Sequence, residues 1–384
     1  MNHCFSDQED QFRTEVRRWL EDNVPESPLA SGDSPEGFAQ HVVWEKRLYA
    51  AGLAAVSWPK RYGGRDASLV EWLIFEEEYY RAGAPIRVTQ NGIFLLAPTI
   101  FEYGTPEQKE RILRPMLAAE YTWGQAWSEP NAGSDLANVQ CRAERVSGGW
   151  RLNGQKTWCT RGMYCDGVHG LFRTEAASTR HKGLTYFMIS LDAPGVHRRG
   201  VQRLDGHMSF AEIFFEDVFV PDHDVIGEVG RGWYVAMSTT SSERGLTLRS
   251  PGRFTAASQR LVDLYCRSTD SSPTRRQAVI ETWIDAQAYR WYTYATVTKM
   301  IKGESIGAAS SLDKVFWSEL DLSIQRSGLA LLGDLAELES GVDAVDEGRW
   351  MADFLFALAG PIYAGTNEIQ RNVVAERLLG LPRR

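Results

Sequence analysis

The chain has 384 residues, of which 43% are hydrophobic and 24% are charged, and its formal net charge is -8. This length and composition are typical of a folded protein with two or three packed units and exclude extended disorder. An acidic chain without clustered Lys and Arg offers no surface for nucleic acid, and without a long apolar run it offers no membrane span. We therefore expect a protein that binds neither nucleic acid nor a membrane.

The cysteines and histidines argue against both disulfides and a metal site. The 5 cysteines are odd in number and form no C-x-x-C pair, so neither a disulfide framework nor a thiolate metal site is predicted. The 7 histidines include no helical pair around a carboxylate, which a zinc-binding helix needs. Because free thiols suit a reducing compartment and the start of the chain lacks an apolar signal region, we expect a cytoplasmic protein.

Residues 1–121 are predicted to form an N-terminal α-helical domain. The first helix begins after Ser6, which forms a capping box with Glu9, and it ends before Pro25. Further helices are predicted from the same kinds of start signal, at Ser34, Ser68 and Thr105. Apolar residues recur with the helical period after each start, so each helix should bury one face.

The period of the hydrophobic pattern changes after residue 121, and residues 122–229 are predicted to form a middle antiparallel β-barrel or sandwich domain. Asn153-Gly154 lies between two short alternating runs, which is the strongest short-range signal of a β-hairpin. Residues 183–191 and 211–220 are predicted strands because β-branched and aromatic residues dominate them. This domain should therefore be a sheet with one buried face.

Helical periodicity returns in residues 230–384, which are predicted to form a C-terminal domain resembling a four-helix bundle. Long helices are expected at residues 275–302, 309–332 and 346–358, since each segment is too long and too regular for a strand. The fold class is therefore multidomain α+β, with helices, then a β domain, then helices.

Four short segments carry most of the information about function. They are Trp58-Pro59-Lys60-Arg61-Tyr62-Gly63-Gly64, Ala126-Trp127-Ser128-Glu129-Pro130-Asn131-Ala132-Gly133-Ser134-Asp135, Asn153-Gly154-Gln155-Lys156-Thr157-Trp158-Cys159-Thr160 and Tyr363-Ala364-Gly365-Thr366-Asn367-Glu368-Ile369-Gln370-Arg371-Asn372. Each is similar, at the matching position and in the matching order, to a motif of the acyl-CoA dehydrogenase family. The resemblance implies an FAD-dependent enzyme that removes one hydrogen from each of the α and β carbons of an acyl thioester, giving the trans-2-enoyl thioester.

In the middle domain, the resemblance implies a set of FAD contacts. They are Trp127, Ser128, Gly133, Ser134, Trp158 and Thr160. Ser128 would hydrogen-bond the flavin, Trp158 would stack beside the isoalloxazine and Thr160 would donate near its N5 atom, while Ser134 would also touch the thioester. Taken without the resemblance, these segments are typical of a surface loop and of a hairpin around a core tryptophan.

In the C-terminal domain, the resemblance implies FAD contacts at Thr366, Asn367 and Glu368. Without the resemblance, the Gly-Thr pair is typical of an ordinary helix N-cap. Arg267 and Gln277 fall near the family's contacts to the FAD pyrophosphate and adenine of a neighbouring subunit, although the R-x-x-F pattern is missing. Because that contact crosses subunits, we expect a homodimer or homotetramer.

The C-terminal motif has Ala364 where many family members carry the catalytic glutamate. Two interpretations compete: the protein is an inactive relative or subunit, or the carboxylate has moved. In isovaleryl-CoA and long-chain acyl-CoA dehydrogenases the base is a glutamate before an arginine in the first helix after the β domain, and Glu243-Arg244 lies at that place. The resemblance implies that Glu243 is the base and that the backbone N–H of Ala364 is one of two donors to the thioester carbonyl.

The remaining expectations concern substrate and partners. The expected substrate contacts are Ser134, Ser242, Glu243, Arg244, Ala364 and Gly365. The substrate is acyl-CoA or an acyl-carrier thioester, and the electron acceptor is electron-transfer flavoprotein or a similar protein. Small residues that would line the acyl pocket, Gly92, Ala97, Thr239, Ser241 and Ser242, are compatible with branched, cyclic or long acyl groups.

Three alternatives share the same fold. The chain is a subunit of a heterotetrameric acyl-CoA dehydrogenase, or an oxidase or monooxygenase that lets oxygen reach reduced flavin, or a DNA-binding relative. The net charge of -8 opposes DNA binding, because phosphate contacts require Lys and Arg on a common face.

Overall fold

A computed structural model describes residues 5–244, 250–269, 272–304 and 306–382, with the side chains of residues 240–244 left out. The chain forms two compact units. The helical unit comprises Met1–Val24, Ala67–Ala84 and Arg244–Arg384, and the sheet unit comprises Pro25–Asp66 and Pro85–Glu243. The N-terminal helical region is therefore divided, because part of it belongs to the same unit as the C-terminal helices.

The helices follow in chain order. They are α1 (Asp7–Asn23), α2 (Pro35–Ala50), α3 (Leu69–Arg81), a π-helical turn (Asn91–Leu96), α4 (Ala97–Tyr103), α5 (Pro106–Leu117), α6 (Gly232–Arg244), α7 (Pro251–Arg267), α8 (Pro273–Ile301), α9 (Ser310–Leu332), α10 (Arg349–Ala357) and α11 (Asn367–Val373). This order of helices, strands and helices confirms the predicted fold class.

Local capping chemistry fixes the starts of the N-terminal helices. Ser6 caps α1 and Ser68 caps α3, each with a capping box closed by a glutamate three residues later. Thr105 caps α5 in the same way, with Gln108 as the partner. Since these side chains satisfy N–H groups that the helix itself leaves unbonded, each start could be predicted from the sequence.

Within the helical unit, α1 packs against α3, and α7 packs against α3, α8 and α9. Glu78 on α3 is buried and accepts hydrogen bonds from Arg13, Arg17 and Arg81. Burial works against the ionised form of Glu78, but the three arginines outweigh it and lower its pKa to about 2. The apolar core of this unit includes Phe254 on α7.

The sheet unit contains an eight-stranded mixed sheet. The strands are β1 (Trp123–Ala126), β2 (Arg142–Val146), β3 (Gly149–Thr160), β4 (Gly167–Arg173), β5 (Leu184–Ser190), β6 (Val196–Val201), β7 (Phe210–Pro221) and β8 (Val225–Ile226). The order is β6-β7-β3-β2-β4-β5-β8, and β1 pairs with β4. Most pairs are antiparallel as predicted, whereas β1 and β2 each pair with β4 in parallel.

The predicted hairpin turn at Asn153-Gly154 is wrong. β3 continues through both residues, and the turn that joins β2 to β3 lies at residues 147–148. Gly154 instead has φ +137°, and the register with β7 shifts between Leu152 and Gly154. A Cβ at position 154 would lie 2.4 Å from Cys141 Sγ, so glycine serves a β-bulge and a close approach.

One of the three predicted C-terminal helices begins later than predicted. The helix expected from Asp346 begins at Arg349, because Asp346 and Glu347 have φ values of +49° and +57°. Asp346 accepts a hydrogen bond from Trp350 Nε1 at 2.8 Å. That bond holds the turn before α10.

Among the helices that the structure describes, none combines the length and the apolar character that crossing a membrane requires.

Candidate active site

The segment Trp127–Glu129, which follows β1, is fastened to β3 by a buried lysine. Lys156 Nζ donates to the Trp127 carbonyl at 3.1 Å and to Glu129 Oε1 at 2.8 Å. The backbone N–H of Thr157 donates to the Ser128 carbonyl at 2.8 Å. Lys156 has no exposed surface. Two neighbouring residues of β3 therefore hold all three residues of the segment.

Glu129 is the carboxylate partner of this lysine, and two backbone groups complete its environment. The N–H groups of Gln140 and Cys141 donate to its two carboxylate oxygens at 2.6 and 2.9 Å. Burial alone would raise the pKa of Glu129, but the Lys156 ammonium and the two N–H groups lower it below its ordinary value. Glu129 therefore stays ionised and fixes the turn after the segment.

Trp158 on β3 is unusual for a strand residue. Its φ is +59°, and 59% of its surface is exposed, whereas its neighbours Thr157 and Cys159 are buried. The register between β3 and β7 shifts between Lys156 and Cys159, so the bulge turns the indole out of the sheet. The Trp158 ring meets the Phe210 ring edge to face, at 5.8 Å between centroids.

Three hydroxyl groups of the predicted site have no hydrogen-bond partner among the described residues: Ser128 and Thr160, which are half-buried, and Ser134, which is exposed. A Cβ added at Gly133 would meet nothing within 4 Å. The sheet unit therefore presents unbonded hydroxyls and an exposed tryptophan, with open space beside Gly133.

The four cysteines within the described residues form no disulfide. Cys159, which replaces an aliphatic residue of the motif, is fully buried, and burial raises its pKa to about 12. Its thiol is therefore protonated and acts as a small apolar side chain.

The start of α6 is docked tightly on β5. Gly230 N–H donates to Thr185 Oγ1 at 2.9 Å. A Cβ at Gly232 would lie 2.7 Å from backbone atoms of Thr185, so only glycine allows this approach. Further along α6, Thr239 Oγ1 lies 2.6 Å from Thr99 Oγ1 in the buried interior.

The predicted base lies on the same helix. The backbone of Glu243 belongs to α6, and its side chain, with those of Ser241, Ser242 and Arg244, lies outside the described residues.

In the helical unit, the C-terminal motif forms a left-handed turn before α11. Ala364 and Gly365 have φ values of +54° and +78°. Gln370 Nε2 donates to both of their carbonyls, at 3.0 and 3.2 Å. The N–H groups of Ala364 and Gly365 donate to no described residue. A non-glycine residue in this conformation is uncommon, and here the turn is held by the Gln370 side chain.

The first two motif side chains that follow this turn, those of Thr366 and Asn367, make hydrogen bonds within the helical unit. Thr366 Oγ1 caps α11 by accepting from Ile369 N–H. Asn367 is buried, and its Oδ1 accepts from Lys314 Nζ at 2.7 Å and from Ser318 Oγ at 3.1 Å. Glu368 is exposed.

The two residues predicted to reach a neighbouring subunit's FAD lie on the surface of the helical unit. Arg267, at the end of α7, forms an ion pair with Asp346 at 3.2 Å. Gln277 on α8 donates to Glu281 one turn later, at 2.9 Å.

Several residues that support the site were not singled out from the sequence. Lys156 and Gln370 stand inside the motifs, so their place there was the signal available from the sequence, whereas their burial is visible only in the structure. Tyr186 contacts Trp127 directly, and His169 contacts it through Tyr186. Neither Tyr186 nor His169 belongs to a motif. No group of three or more potential metal ligands occurs among the described residues.

Known proteins resemble this chain along its whole length. Sequence models of the N-terminal, middle and C-terminal domains of acyl-CoA dehydrogenases match residues 6–120, 124–218 and 230–379. Acyl-CoA dehydrogenase IpdE1 of Mycolicibacterium smegmatis is 39% identical, with 97% of this chain and 98% of the relative covered. Acyl-CoA dehydrogenase FadE26 of Mycobacterium tuberculosis is 30% identical, with 100% and 99% covered.

Two solved structures are also similar. The Tcur3481-Tcur3483 steroid ACAD has a TM-score of 0.90 and 25% identity, with both chains fully covered. The ChsE4-ChsE5 complex from Mycobacterium tuberculosis has a TM-score of 0.85 and 27% identity, again with full coverage of both chains.

Proposed function

This chain belongs to the acyl-CoA dehydrogenase family, and on that premise we propose that Glu243 removes the α-proton of an acyl-CoA, which becomes the trans-2-enoyl-CoA. Membership makes the protein an FAD-dependent oxidoreductase that dehydrogenates acyl-CoA thioesters. What is proposed is the identity of the base, the donors at the thioester, the FAD contacts and the acyl group.

The described residues fit an FAD site. The unbonded hydroxyls of Ser128 and Thr160 offer donors to the ring, and the exposed Trp158 offers an apolar face. FAD, when bound, supplies the acceptor for the β-hydrogen, which leaves as hydride to its N5 atom. Gly133 and Ser134 leave room for the ring's approach, since nothing lies within 4 Å of a Cβ at position 133.

In the helical unit, the proposed FAD contacts are Thr366, Asn367 and Glu368. The Asn367 side chain accepts from Lys314 and its backbone N–H donates to the Pro361 carbonyl at 2.8 Å, so both are held in place for that contact. Arg267 and Gln277 are proposed to contact the FAD of a neighbouring subunit, and both are exposed.

The observation that carries the base assignment is the conformation of Ala364. Its side chain cannot take a proton, yet its unbonded N–H lies in a turn whose carbonyls are fixed by Gln370. A fixed N–H is suited to stabilise the negative charge that develops on the thioester oxygen. The carboxylate must then come from elsewhere, and Glu243 stands at the family's alternative position on α6, whose start is held by Gly230 and Thr185.

Steady-state turnover of a panel of acyl-CoA thioesters with an artificial electron acceptor tests this assignment. Glu243→Gln should lose activity while keeping bound FAD, and adding Ala364→Glu to that variant should restore part of it. Glu228→Gln is the matched control, because Glu228 is an exposed glutamate shortly before α6. Full activity in Glu243→Gln, or equal losses in Glu228→Gln, would contradict the proposal.

The acyl group is proposed to be large and cyclic. One similar structure is named a steroid ACAD. Within the sheet unit, Gly92 and Ala97 lie in the π-helical turn and at the start of α4, and Thr239 on α6 bonds Thr99 on α4. Gly92 and Ala97 are themselves buried, and a Cβ at Gly92 would lie 3.0 Å from Met116 Cγ, so the similarity to the steroid ACAD carries this choice. Faster turnover of short straight-chain thioesters than of polycyclic ones would reject this choice.

A second candidate is that the active enzyme is a heteromer. Two similar structures, the Tcur3481-Tcur3483 steroid ACAD and the ChsE4-ChsE5 complex, carry names that each join two proteins, and the R-x-x-F pattern is missing around Arg267. In the helical unit, α8 and α9 also expose large apolar side chains between 39% and 51%: Ile280, Trp283, Ile284, Trp291, Tyr292, Leu312 and Phe316. Such a surface is typical of an interface.

Expression of this chain alone, followed by measurement of its mass and flavin content, separates these assemblies. A yellow dimer or tetramer would favour the homomer, and a colourless chain that binds FAD only with a second protein would favour the heteromer. We further propose a cytoplasmic enzyme that passes its electrons to electron-transfer flavoprotein.

A further inference from the structure

A row of three buried aromatic side chains begins at Trp127. Trp127 Nε1 donates to Tyr186 Oη at 3.0 Å, and Tyr186 Oη lies 2.6 Å from His169 Nδ1. The Trp127 and Tyr186 rings meet edge to face at 6.2 Å, and the Tyr186 and His169 rings stack at 5.7 Å. Neither Tyr186 nor His169 has any exposed surface.

The direction of the hydrogen bonds in this row follows from the chemistry of the groups. An indole N–H can only donate, so the Tyr186 oxygen accepts from Trp127. The single Tyr186 proton is then free to be donated to His169 Nδ1. Burial lowers the pKa of His169 to about 3, against a smaller opposing effect from the backbone of Asn91, so the ring is neutral and can accept.

The strands hold this row in place. His169 lies on β4 and Tyr186 on the neighbouring β5, which run antiparallel. β1 runs beside β4, and a Cβ at Gly170 would lie 2.2 Å from the Ala126 carbonyl oxygen. Glycine therefore lets the two backbones meet directly before Trp127. The backbone before Trp127 and the Nε1 atom of its side chain are therefore both held in place.

Thr185, the residue before Tyr186, faces the opposite side of β5 and contacts the start of α6. Thr185 Oγ1 accepts from Gly230 N–H at the start of α6, the helix that carries the proposed base. One short stretch of β5 thus sets both the Trp127 side chain and the beginning of α6.

We propose that Tyr186 is a positioning residue of the flavin site, which fixes the plane of the Trp127 indole and is itself fixed by His169. This inference rests on the proposed function, because only the family resemblance places Trp127 against the flavin. A buried indole N–H without its acceptor is costly. Loss of the Tyr186 hydroxyl should therefore turn the Trp127 ring toward another acceptor and change the surface offered to the flavin.

The test uses the purified FAD-bound protein and compares Tyr186→Phe with wild type. The variant keeps the ring but loses the acceptor, so we expect about fivefold weaker FAD binding, together with a changed visible circular dichroism spectrum of the bound flavin. Tyr164→Phe is the matched control, since Tyr164 Oη donates one hydrogen bond, to the Asp33 carbonyl at 2.9 Å, elsewhere in the sheet unit. The control should leave the flavin spectrum unchanged.

A double-mutant cycle separates positioning from general stability. If Tyr186 acts through Trp127, Tyr186→Phe should add nothing to the flavin spectrum or FAD affinity of Trp127→Phe. Additive effects, or a wild-type spectrum and affinity in Tyr186→Phe, would overturn the inference. If Tyr186→Phe does not fold, His169→Leu decides, because it removes the acceptor of Tyr186 and keeps the Tyr186 hydroxyl that accepts from Trp127, and it should shift the spectrum in the same direction.

The two proposals fail differently. A wild-type protein that holds FAD and turns over acyl-CoA, with an unchanged flavin in Tyr186→Phe, contradicts only the role of Tyr186. A wild-type protein that forms no enoyl product from any acyl-CoA contradicts the proposed function itself.

Discussion

The motif region of the sheet unit and the motif region of the helical unit present their chemistry in opposite ways. In the sheet unit, Lys156 holds the backbone, and the hydroxyls of Ser128 and Thr160 are left unbonded. In the helical unit, the Gln370 and Asn367 side chains make internal hydrogen bonds, and the backbone N–H of Ala364 is left unbonded. Under the proposed function, side chains would provide the functional groups in one region and the main chain would provide them in the other.

Under the proposed function, this difference would explain how the family motif tolerates Ala364. A substitution at that position changes a side chain, whereas the group offered by the turn is a main-chain N–H. The same reasoning predicts that side-chain substitutions affect flavin binding mainly in the sheet unit and stability mainly in the helical unit, except where a buried charge supports the motif.

The largest expected effect is at that exception, Lys156. Lys156→Met leaves the Glu129 carboxylate buried without its cation, which costs about 3–5 kcal/mol in the free energy of unfolding. Urea denaturation measures the change. Lys182→Met, at an exposed lysine of the same unit, is the control and should stay within about 0.5 kcal/mol of wild type.

The next largest expected effect is a pH dependence of the free energy of unfolding. It comes from Asp313, which precedes Lys314 on α9. Burial raises the pKa of Asp313 to about 7, and its Oδ1 has no hydrogen-bond partner among the described residues. Because this folded-state pKa lies above the unfolded value near 4, stability should fall as the pH rises from about 4 to about 7.

Asp313→Asn removes that titration. The variant should be more stable than wild type above pH 7, by on the order of 3 kcal/mol, and the two should converge near pH 4. Urea denaturation at several pH values measures this difference. A constant difference across that range would refute the role of Asp313, and Asp334→Asn, at an exposed position, should change nothing.

A smaller loss is expected at Asn367. Lys314 and Ser318 share its Oδ1 as an acceptor, so Asn367→Ala should lower stability by about 2 kcal/mol. The neighbouring Glu368→Ala, at an exposed residue, should leave the unfolding midpoint unchanged. Equal midpoints for the two variants would contradict the stabilising role of the Asn367 side chain.

The smallest change in stability is expected at the unbonded hydroxyls. Ser128→Ala and Thr160→Ala break no described hydrogen bond of the side chains, so each should change stability by less than about 0.5 kcal/mol. Each should nevertheless weaken FAD binding by about fivefold, measured by titration of the apoprotein. Unchanged FAD affinity in both variants would show that the sheet unit offers its hydroxyls to something else.

The parts of the fold that could be predicted depend on local chemistry. The starts of α1, α3 and α5 follow from a capping residue and its partner three positions later. The absence of a hairpin turn at Asn153-Gly154 could not be predicted from the local sequence. Gly154 is needed because β3 shifts its register there against β7, which is distant in the chain. The start of α10 likewise depends on the bond between Asp346 and Trp350.

The candidate site divides in the same way. Motifs identified Trp127, Trp158 and Ala364, and the bulge and left-handed turn that present them are visible only in three dimensions. Tyr186 and His169 meet because two neighbouring strands place them together. Nothing in their spacing along the chain indicates that contact.

The most direct test of the central claim is the rate at which acyl-CoA bleaches the bound flavin of Glu243→Gln in the absence of oxygen. Removal of a catalytic base should slow this single turnover by about a thousandfold, while the flavin content stays equal to that of wild type. Bleaching at the wild-type rate would contradict the assignment of Glu243 as the base.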